Sequence, residues 1–390
     1  PAVPTLTAAL MNKGTANKAT AELEDAIKSL GSEVSIFSNT SGTFVTGSTL
    51  ARNFDATIAL AQEMLLEPRW DTQEFDILML DATNTIDQNA ANPSAIANRE
   101  LAQIMYPADN IYSVTGYGAK DKLSTVTLDD LKAFYADNFT PVGAKFRVVG
   151  DISPKKAKQA LGALTKTWVG DANPALEIPF APTPTGSKVY FYDIPGAKQS
   201  VFRLGRPALA ATDDDFFKAQ AMNYLLGDIY TSKLNTELRV NKGYTYGIGS
   251  GFTGGEDRGR FRVFTSVRTN VTLESAQLIK DILTSYGPDF TQDDLTTMKS
   301  ALIKGQALAT ETLSAKLGMI GEISAFGYGD DFKAKNAAAI GAMTLDEFKA
   351  LTGEYLRPDE MHYVIVGDAK TQSKRMKDLG FGKPVMLEAK

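Results

Sequence analysis

A single histidine, His362, and the absence of cysteine limit the chemistry this 390-residue chain can perform. A catalytic zinc site usually takes two or three histidine or cysteine ligands with a carboxylate, and the chain cannot assemble that set alone. Without cysteine there are no disulfides and no thiol catalysis, although the redox compartment stays open. A Ser-His-Asp relay would have to recruit His362, which falls in the apolar run 361–366 and reads as a strand residue. The glycines of Gly247-Ile-Gly-Ser-Gly251 and Gly254-Gly255 lack the spacing of a phosphate-binding loop. They lie between strand-like segments rather than at a helix start, and are expected to form a flexible hairpin end able to border a cavity. Phe216, Phe217 and Tyr224 have helical spacing in an apolar stretch, which indicates core rather than a ligand platform.

The elements that must position any site are organised by a duplication. Residues 127–151 (TLDDLKAFYADNFTPVGAKFRVVGD) and 344–368 (TLDEFKALTGEYLRPDEMHYVIVGD) align without a gap at an offset of 217, with nine of 25 positions identical. Thr127 and Thr344 are N-cap residues followed by acidic first turns, Pro141 and Pro358 end the helices, and the apolar runs up to Val149 and Val366 predict strands. Two half-chains are thus expected to end on the same helix-strand unit. The predicted domains are residues 1–172 and 187–390, joined by a linker at 173–186 in which Pro174, Pro179, Pro182 and Pro184 fall close together.

Within each half the predicted order is helix, strand, strand, then helices. In the first half it is Leu23, Ala26, Ile27 and Leu30 on one helix closed by Gly31, strands at 34–37 and 43–45, and a helix with Phe54, Ile58, Ala61 and Leu65 on one face. A long helix then runs from Asp71 past Thr85 to a loop at 89–93. In the second half strands are expected at 188–193, 201–204, 244–252 and 260–268, with helices at 216–226, 233–240, 313–326 and from 344. This pattern predicts an α+β fold of two homologous α/β-roll domains, each a mainly antiparallel sheet covered by helices.

Composition narrows the partners. The chain is 43% hydrophobic and 22% charged with a net charge of −5, which gives no footprint for nucleic acid. No apolar run reaches membrane-spanning length, and no signal-peptide pattern opens the chain. Because it starts at Pro1 rather than methionine, a removed leader or larger segment is an expectation.

Several motifs, in this order and with the duplication, carry a family resemblance: Lys13-Gly-Thr15 before a helix ending Ser29-Leu-Gly31, Asn92-Pro93 after the long helix, both Val-Gly-Asp ends, and Ser232-Lys-Leu-Asn-Thr-Glu-Leu-Arg239 running into Gly243-Tyr-Thr-Tyr246. The chain resembles the M16 zinc metallopeptidases, the pitrilysin and mitochondrial processing peptidase group, and within it the bacterial M16B type. The family's His-x-x-Glu-His would sit just before Lys13. Here Thr5 and Ala9 stand at the two histidine positions, Ala8 at the general-base glutamate, and Thr85 or Ile86 at the third, glutamate ligand. Asp81 and Asp87 flank that last place as helix carboxylates of a solvated face. Members of the family usually have two more strands, roughly 40 to 60 residues, ahead of the motif, so the first roll is expected to be incomplete as given.

The resemblance implies a surviving half of the active centre. In the family an arginine and a tyrosine of the C-terminal roll help to hold the peptide, and by the motif these are Arg239 and Tyr246. It implies a non-catalytic subunit of a heterodimeric M16B peptidase that binds no cofactor itself, with zinc on a homologous partner and a peptide as substrate. The alternatives are a structural subunit of a larger complex, like the core subunits of the respiratory bc1 complex, and a homodimeric peptide-binding module. Retention of both residues favours the peptidase partnership. A periplasmic location is a family-level expectation, with the cytoplasm as its alternative.

Overall fold

The computed structural model describes residues 2–162, 164–171, 182–256, 258–306 and 309–388. The chain divides into two compact units, Pro1–Ala90 with Val114–Ile178, and Ala91–Ser113 with Pro179–Lys390. Residues 91–113, which the duplication alone would assign to the first half, are part of the second unit. Of the expected linker at 173–186, residues 173–181 lie outside the described residues.

In the first unit the helix Ala2–Met11 is the centre of packing. Ala2, Leu6 and Leu10 pack with Phe75 and Ala82 of the helix Thr72–Ala91 and with Leu131 of the helix Leu128–Asn138. Ala8 and Met11 meet Leu23, Ile36, Met64 and Leu65. Strands β1 (Glu33–Asn39) and β2 (Gly42–Ser48) form the expected hairpin. Asn12 imitates a neighbouring strand on β1: its amide donates to the Ile36 carbonyl and its own carbonyl accepts from the Ile36 N–H, both at 2.8 Å.

The second unit holds a six-stranded sheet in the order β5-β6-β4-β7-β3-β8. The strands are β3 (Lys188–Asp193), β4 (Gln199–Ala208), β5 (Thr245–Thr253), β6 (Gly259–Arg268), β7 (His362–Gly367) and β8 (Val385–Leu387). β3 runs parallel to β7 and β8, and the remaining pairs are antiparallel. On one face Tyr363 and Ile365 of β7 join a core with Phe191, Phe202, Met222, Ile279 and Phe348. On the other, Val364 and Val366 meet the helix Pro93–Met105 through Leu101, Met105, Ile96 and Ala97. A strand covered on both faces must be apolar throughout, and β7 is. The fold is α+β, as expected.

Three local expectations are corrected. The predicted strand at the end of the first repeat does not form: residues 143–149 have no ladder, with Phe146 47% exposed and Val142 54% exposed. β7, its counterpart, lies between β3 and β4, whereas the sheet of the first unit, among the described residues, is the β1-β2 hairpin alone. A β-pattern without an adjacent strand has no ladder to join and stays irregular. The loop expected at 89–93 shrinks to Asn92, because the long helix continues through Ala91 and Asn92 caps the next one, accepting from Ser94 N–H at 2.9 Å with Pro93 in the first turn. Gly247, Gly249 and Gly251 belong to β5 rather than to a hairpin end, which begins at Gly254. A Cβ on Gly249 would fall 2.6 Å from the Phe264 ring, so that glycine admits the aromatic cover of the strand. Phe216 is core, with Phe217 and Tyr224 packed against it, as expected.

Candidate functional site

The helix that leads to Arg239 is not a regular one. Lys233–Asn235 begins it in α-helical form, and Thr236–Asn241 continues as a π-helical turn carrying Arg239 near its end. Lys242 N–H donates to the Glu237 carbonyl at 3.1 Å, Gly243 N–H to Arg239 at 3.1 Å and Tyr244 N–H to Leu238 at 2.8 Å, so the wide turn closes on Gly243, whose φ is +61°. The chain then enters β5 at Thr245. Thr245 faces Val267 on β6 but Ile248 faces Thr265, which inserts one extra residue into β5 at this place. Such a bulge re-aims the side chains beside it. Tyr246 stands on it and is 89% exposed.

The bulge is held by side chains. Thr245 Oγ1 accepts from Gly247 N–H at 3.0 Å and donates to the Ser266 carbonyl at 2.7 Å. Buried Asn235 accepts from Ile248 N–H at 3.1 Å, tying the helix to β5. Behind it, Asn223 Nδ2 donates to the Ser250 carbonyl at 2.8 Å while the Ser250 hydroxyl donates back to Asn223 Oδ1 at 2.6 Å. Gly227 allows the π-helical turn Tyr224–Asp228 to lie this close, since a Cβ there would sit 2.1 Å from Ser250 Oγ. Both predicted site residues are therefore mounted on a satisfied, rigid support.

The structure brings them together. The Arg239 guanidinium carbon lies over the Tyr246 ring, 4.7 Å from its centroid, and over the Tyr230 ring at 4.6 Å. Tyr230, 63% exposed, was not expected from the sequence. It sits in the turn before the helix, where the bond from Ser232 N–H to the Ile229 carbonyl at 3.0 Å fixes the chain, and no periodicity or motif spacing marks such a position. The nearby carboxylate of Glu237 is engaged by Asn241 at 3.1 Å and Lys233 at 3.5 Å. The Arg239 guanidinium has no hydrogen bond or ion pair to any described residue.

The positions expected for a metal cannot hold one. Thr5, Ala8 and Ala9 lie on the helix Ala2–Met11, with the Ala8 methyl fully buried against Met11, Leu23 and Met64. Thr85 is exposed and spends its hydroxyl on the Asp81 carbonyl at 2.8 Å. Asp87 pairs with Lys120 at 2.7 Å. No group of three or more potential ligands occurs among the described residues. A carboxylate or imidazole at position 8 would have to displace packed core, so the donor set does not fit zinc.

Two other places fail as reaction centres. His362 opens β7 edge-on to Tyr190 with its Nδ1 buried and unpartnered, and burial, helped by Lys188, pushes its pKa down to about 4. No carboxylate of a described residue orients it. A cleft of about 680 Å³ in the second unit is lined by Arg206, Asp213, Asp215, Arg258, Glu354 and Tyr355 among others, and several of these groups are engaged within the protein, although Arg206 Nε is buried without a partner. Tyr355 donates to Asp215 at 3.2 Å, Asp213 accepts from Ala210 N–H at 2.7 Å, and Arg206 donates to the Tyr355 carbonyl at 3.2 Å. No described helix is long and apolar enough to cross a membrane.

Known proteins share this fold. Residues 125–302, which include Arg239 and Tyr246, match the family described as "Peptidase M16 inactive domain". The chain is 23% identical over 379 residues to a protein of Streptomyces coelicolor named an uncharacterized zinc protease, covering 95% of this chain and 81% of that one. It is 22% identical to a protein of Helicobacter pylori named "Non-peptidase homolog YmxG", covering 94% and 84%. Its fold is that of a peptidase M16 inactive domain from Pseudomonas fluorescens, with a TM-score of 0.83 at 21% identity over 94% of this chain and 89% of that one. With the motif order, the fold and the lost ligand positions in agreement, residues 125–302 belong to the M16 peptidase family, and the chain as a whole has the M16 fold without the His-x-x-Glu-His motif.

Proposed function

We propose that this chain is the substrate-binding, non-catalytic subunit of a heterodimeric M16B zinc metallopeptidase, whose homologous partner carries the zinc, its ligands and the base. The observation that carries this reading is the pairing of an uncommitted Arg239 with a solvent-facing Tyr246 on a rigid mount. The Arg239 fork donates to carbonyl oxygens of a bound peptide, and the Tyr246 hydroxyl donates to the oxygen on which charge develops as water attacks. The helix Leu313–Phe326 supports a partner contact: it is largely apolar yet buries no residue fully, and Leu313 is 59% exposed. A periplasmic location belongs to the same proposal and is tested by cell fractionation.

The test is peptide hydrolysis by this chain, by a zinc-bearing paralogue, and by an equimolar mixture. Activity is expected only in the mixture. Tyr246→Phe lowers kcat by about 10²-fold, in line with loss of one oxyanion donor, and Arg239→Ala lowers kcat/KM while size-exclusion chromatography still shows the complex. No gain on mixing, or full activity with both variants, refutes the proposal.

A further inference from the structure

The ligand chemistry of Arg239 is set by the groups around it. We infer that Tyr230, Arg239 and Tyr246 form a clamp for a peptide carboxylate, either an acidic side chain or a free C-terminus, with Tyr230 as a specificity-determining residue; this rests on reading the edge as a peptide-binding site. The chain has 46 acidic residues against 41 basic ones, so an intramolecular carboxylate partner for Arg239 was available to the fold. Other arginines have one: Arg99 with Glu100 at 2.7 Å, Arg206 with Glu360 at 3.5 Å, and Arg375 with Glu274 at 2.5 Å. Arg239 is left without, although Glu237 lies two residues away.

Two rings hold the charge in place of a carboxylate. Aromatic faces attract a guanidinium but accept none of its N–H bonds in the way a carboxylate does. The five donors of the fork stay available, and their planar, bidentate geometry fits a carboxylate better than the single oxygen of a neutral carbonyl. Both rings are exposed, Tyr230 at 63% and Tyr246 at 89%, so the ligand reaches the cation from solvent. Their positions are also fixed beforehand. Tyr246 stands on the bulge, and Asn235 spans the two sides, accepting from Ile248 N–H at 3.1 Å and donating to the Ile229 carbonyl, beside Tyr230, at 3.5 Å. A preset guanidinium loses little freedom on binding.

The experiment titrates the full-length, isotope-labelled chain alone with N-acetylated peptides of one sequence in three forms: a free C-terminus without acidic side chains, an amidated C-terminus with one internal aspartate, and an amidated peptide with asparagine in its place. The Arg239 Nε–Hε resonance and the Kd are read together. Either carboxylate form is expected to bind about ten-fold or more tightly than the neutral form, as charge-assisted hydrogen bonds imply, and to shift the Arg239 resonance. Which of the two binds tighter identifies the source. Tyr230→Ala is expected to cut the preference by about two- to five-fold, the worth of one exposed cation–π contact, and Tyr230→Phe to retain it. Equal affinity for all three forms, no binding into the millimolar range, or an unchanged preference in Tyr230→Ala overturns the inference. These readouts need no partner. Carboxylate preference without hydrolysis in the mixture removes the peptidase reading and keeps the clamp; hydrolysis in the mixture without carboxylate preference removes the clamp and keeps the peptidase reading.

Discussion

The two copies of the repeat share a helix and differ in the segment beyond it. Leu128–Asn138 and Leu345–Tyr355 are both capped by a threonine whose Oγ1 accepts from the third residue of the helix, Asp130 N–H at 3.2 Å and Glu347 N–H at 3.1 Å. After the proline, the second copy becomes β7 at the centre of a six-stranded sheet, while the first runs on without a ladder. A helix satisfies its backbone within its own residues, so the same local sequence makes the same helix in both places. A strand takes its partners from elsewhere, and only the second copy has β3 and β4 on either side.

The largest expected effect tests that difference at equivalent positions. Ile365 is fully buried between Phe191 and Phe202, its partners on β3 and β4, whereas Val148 at the same place in the first copy is half-buried and outside any sheet. Ile365→Ala should cost about 2–5 kcal/mol by removing packed core, and Val148→Ala under about 1 kcal/mol. Urea unfolding with hydrogen exchange resolved to each unit checks both. Equal costs would mean that the first copy is as deeply packed as the second.

A smaller effect comes from the residue that opens each strand segment. Lys145 in the first copy is exposed, and its counterpart His362 is held neutral by burial, with a pKa of about 4 against an unfolded value near 6.5. Between these values the unfolded chain binds the extra proton, so stability rises with pH there and is lost on acidification from about pH 6.5 towards pH 4. Allowing for partial solvent screening, the loss should be about 2 kcal/mol. It should shrink in His362→Gln, which cannot titrate. If thermal melts of the wild type and this variant fall in parallel between pH 7 and pH 5, His362 is not the group responsible.

The contrast between copies also explains what the sequence could reveal of the site. The placement of Arg239 near a helix end and of Tyr246 at the start of the next strand was legible because a local motif carries both. The position of Tyr230 beside Arg239 was not, because it arises only when the turn at 229–232 folds back beside the bulge, a contact supported by Asn235 reaching both. The α+β order and most helices were legible from periodicity and caps. The failed strand at 143–149 and the helix Pro93–Met105 packing within the second unit were not, since both depend on which surfaces a segment meets rather than on its own residues.

The smallest effect concerns the part the copies have in common. Thr127 and Asp130 form a reciprocal box, with Thr127 N–H donating to the Asp130 carboxylate at 2.8 Å, whereas the Glu347 carboxylate in the second copy turns away to Lys218 at 2.7 Å. If the threonine bond to the first helical turn is what each copy needs, Thr127→Ala and Thr344→Ala should each cost about 1 kcal/mol. Amide exchange in the first turn should then quicken by about five-fold in either variant. The reciprocal carboxylate bond in the first copy is solvent-exposed and adds little, so the two responses should match within about two-fold. A markedly larger response at Thr127 would show that the box, and not the cap, holds that helix, and the helices of the repeat would then be alike in shape but not in cause.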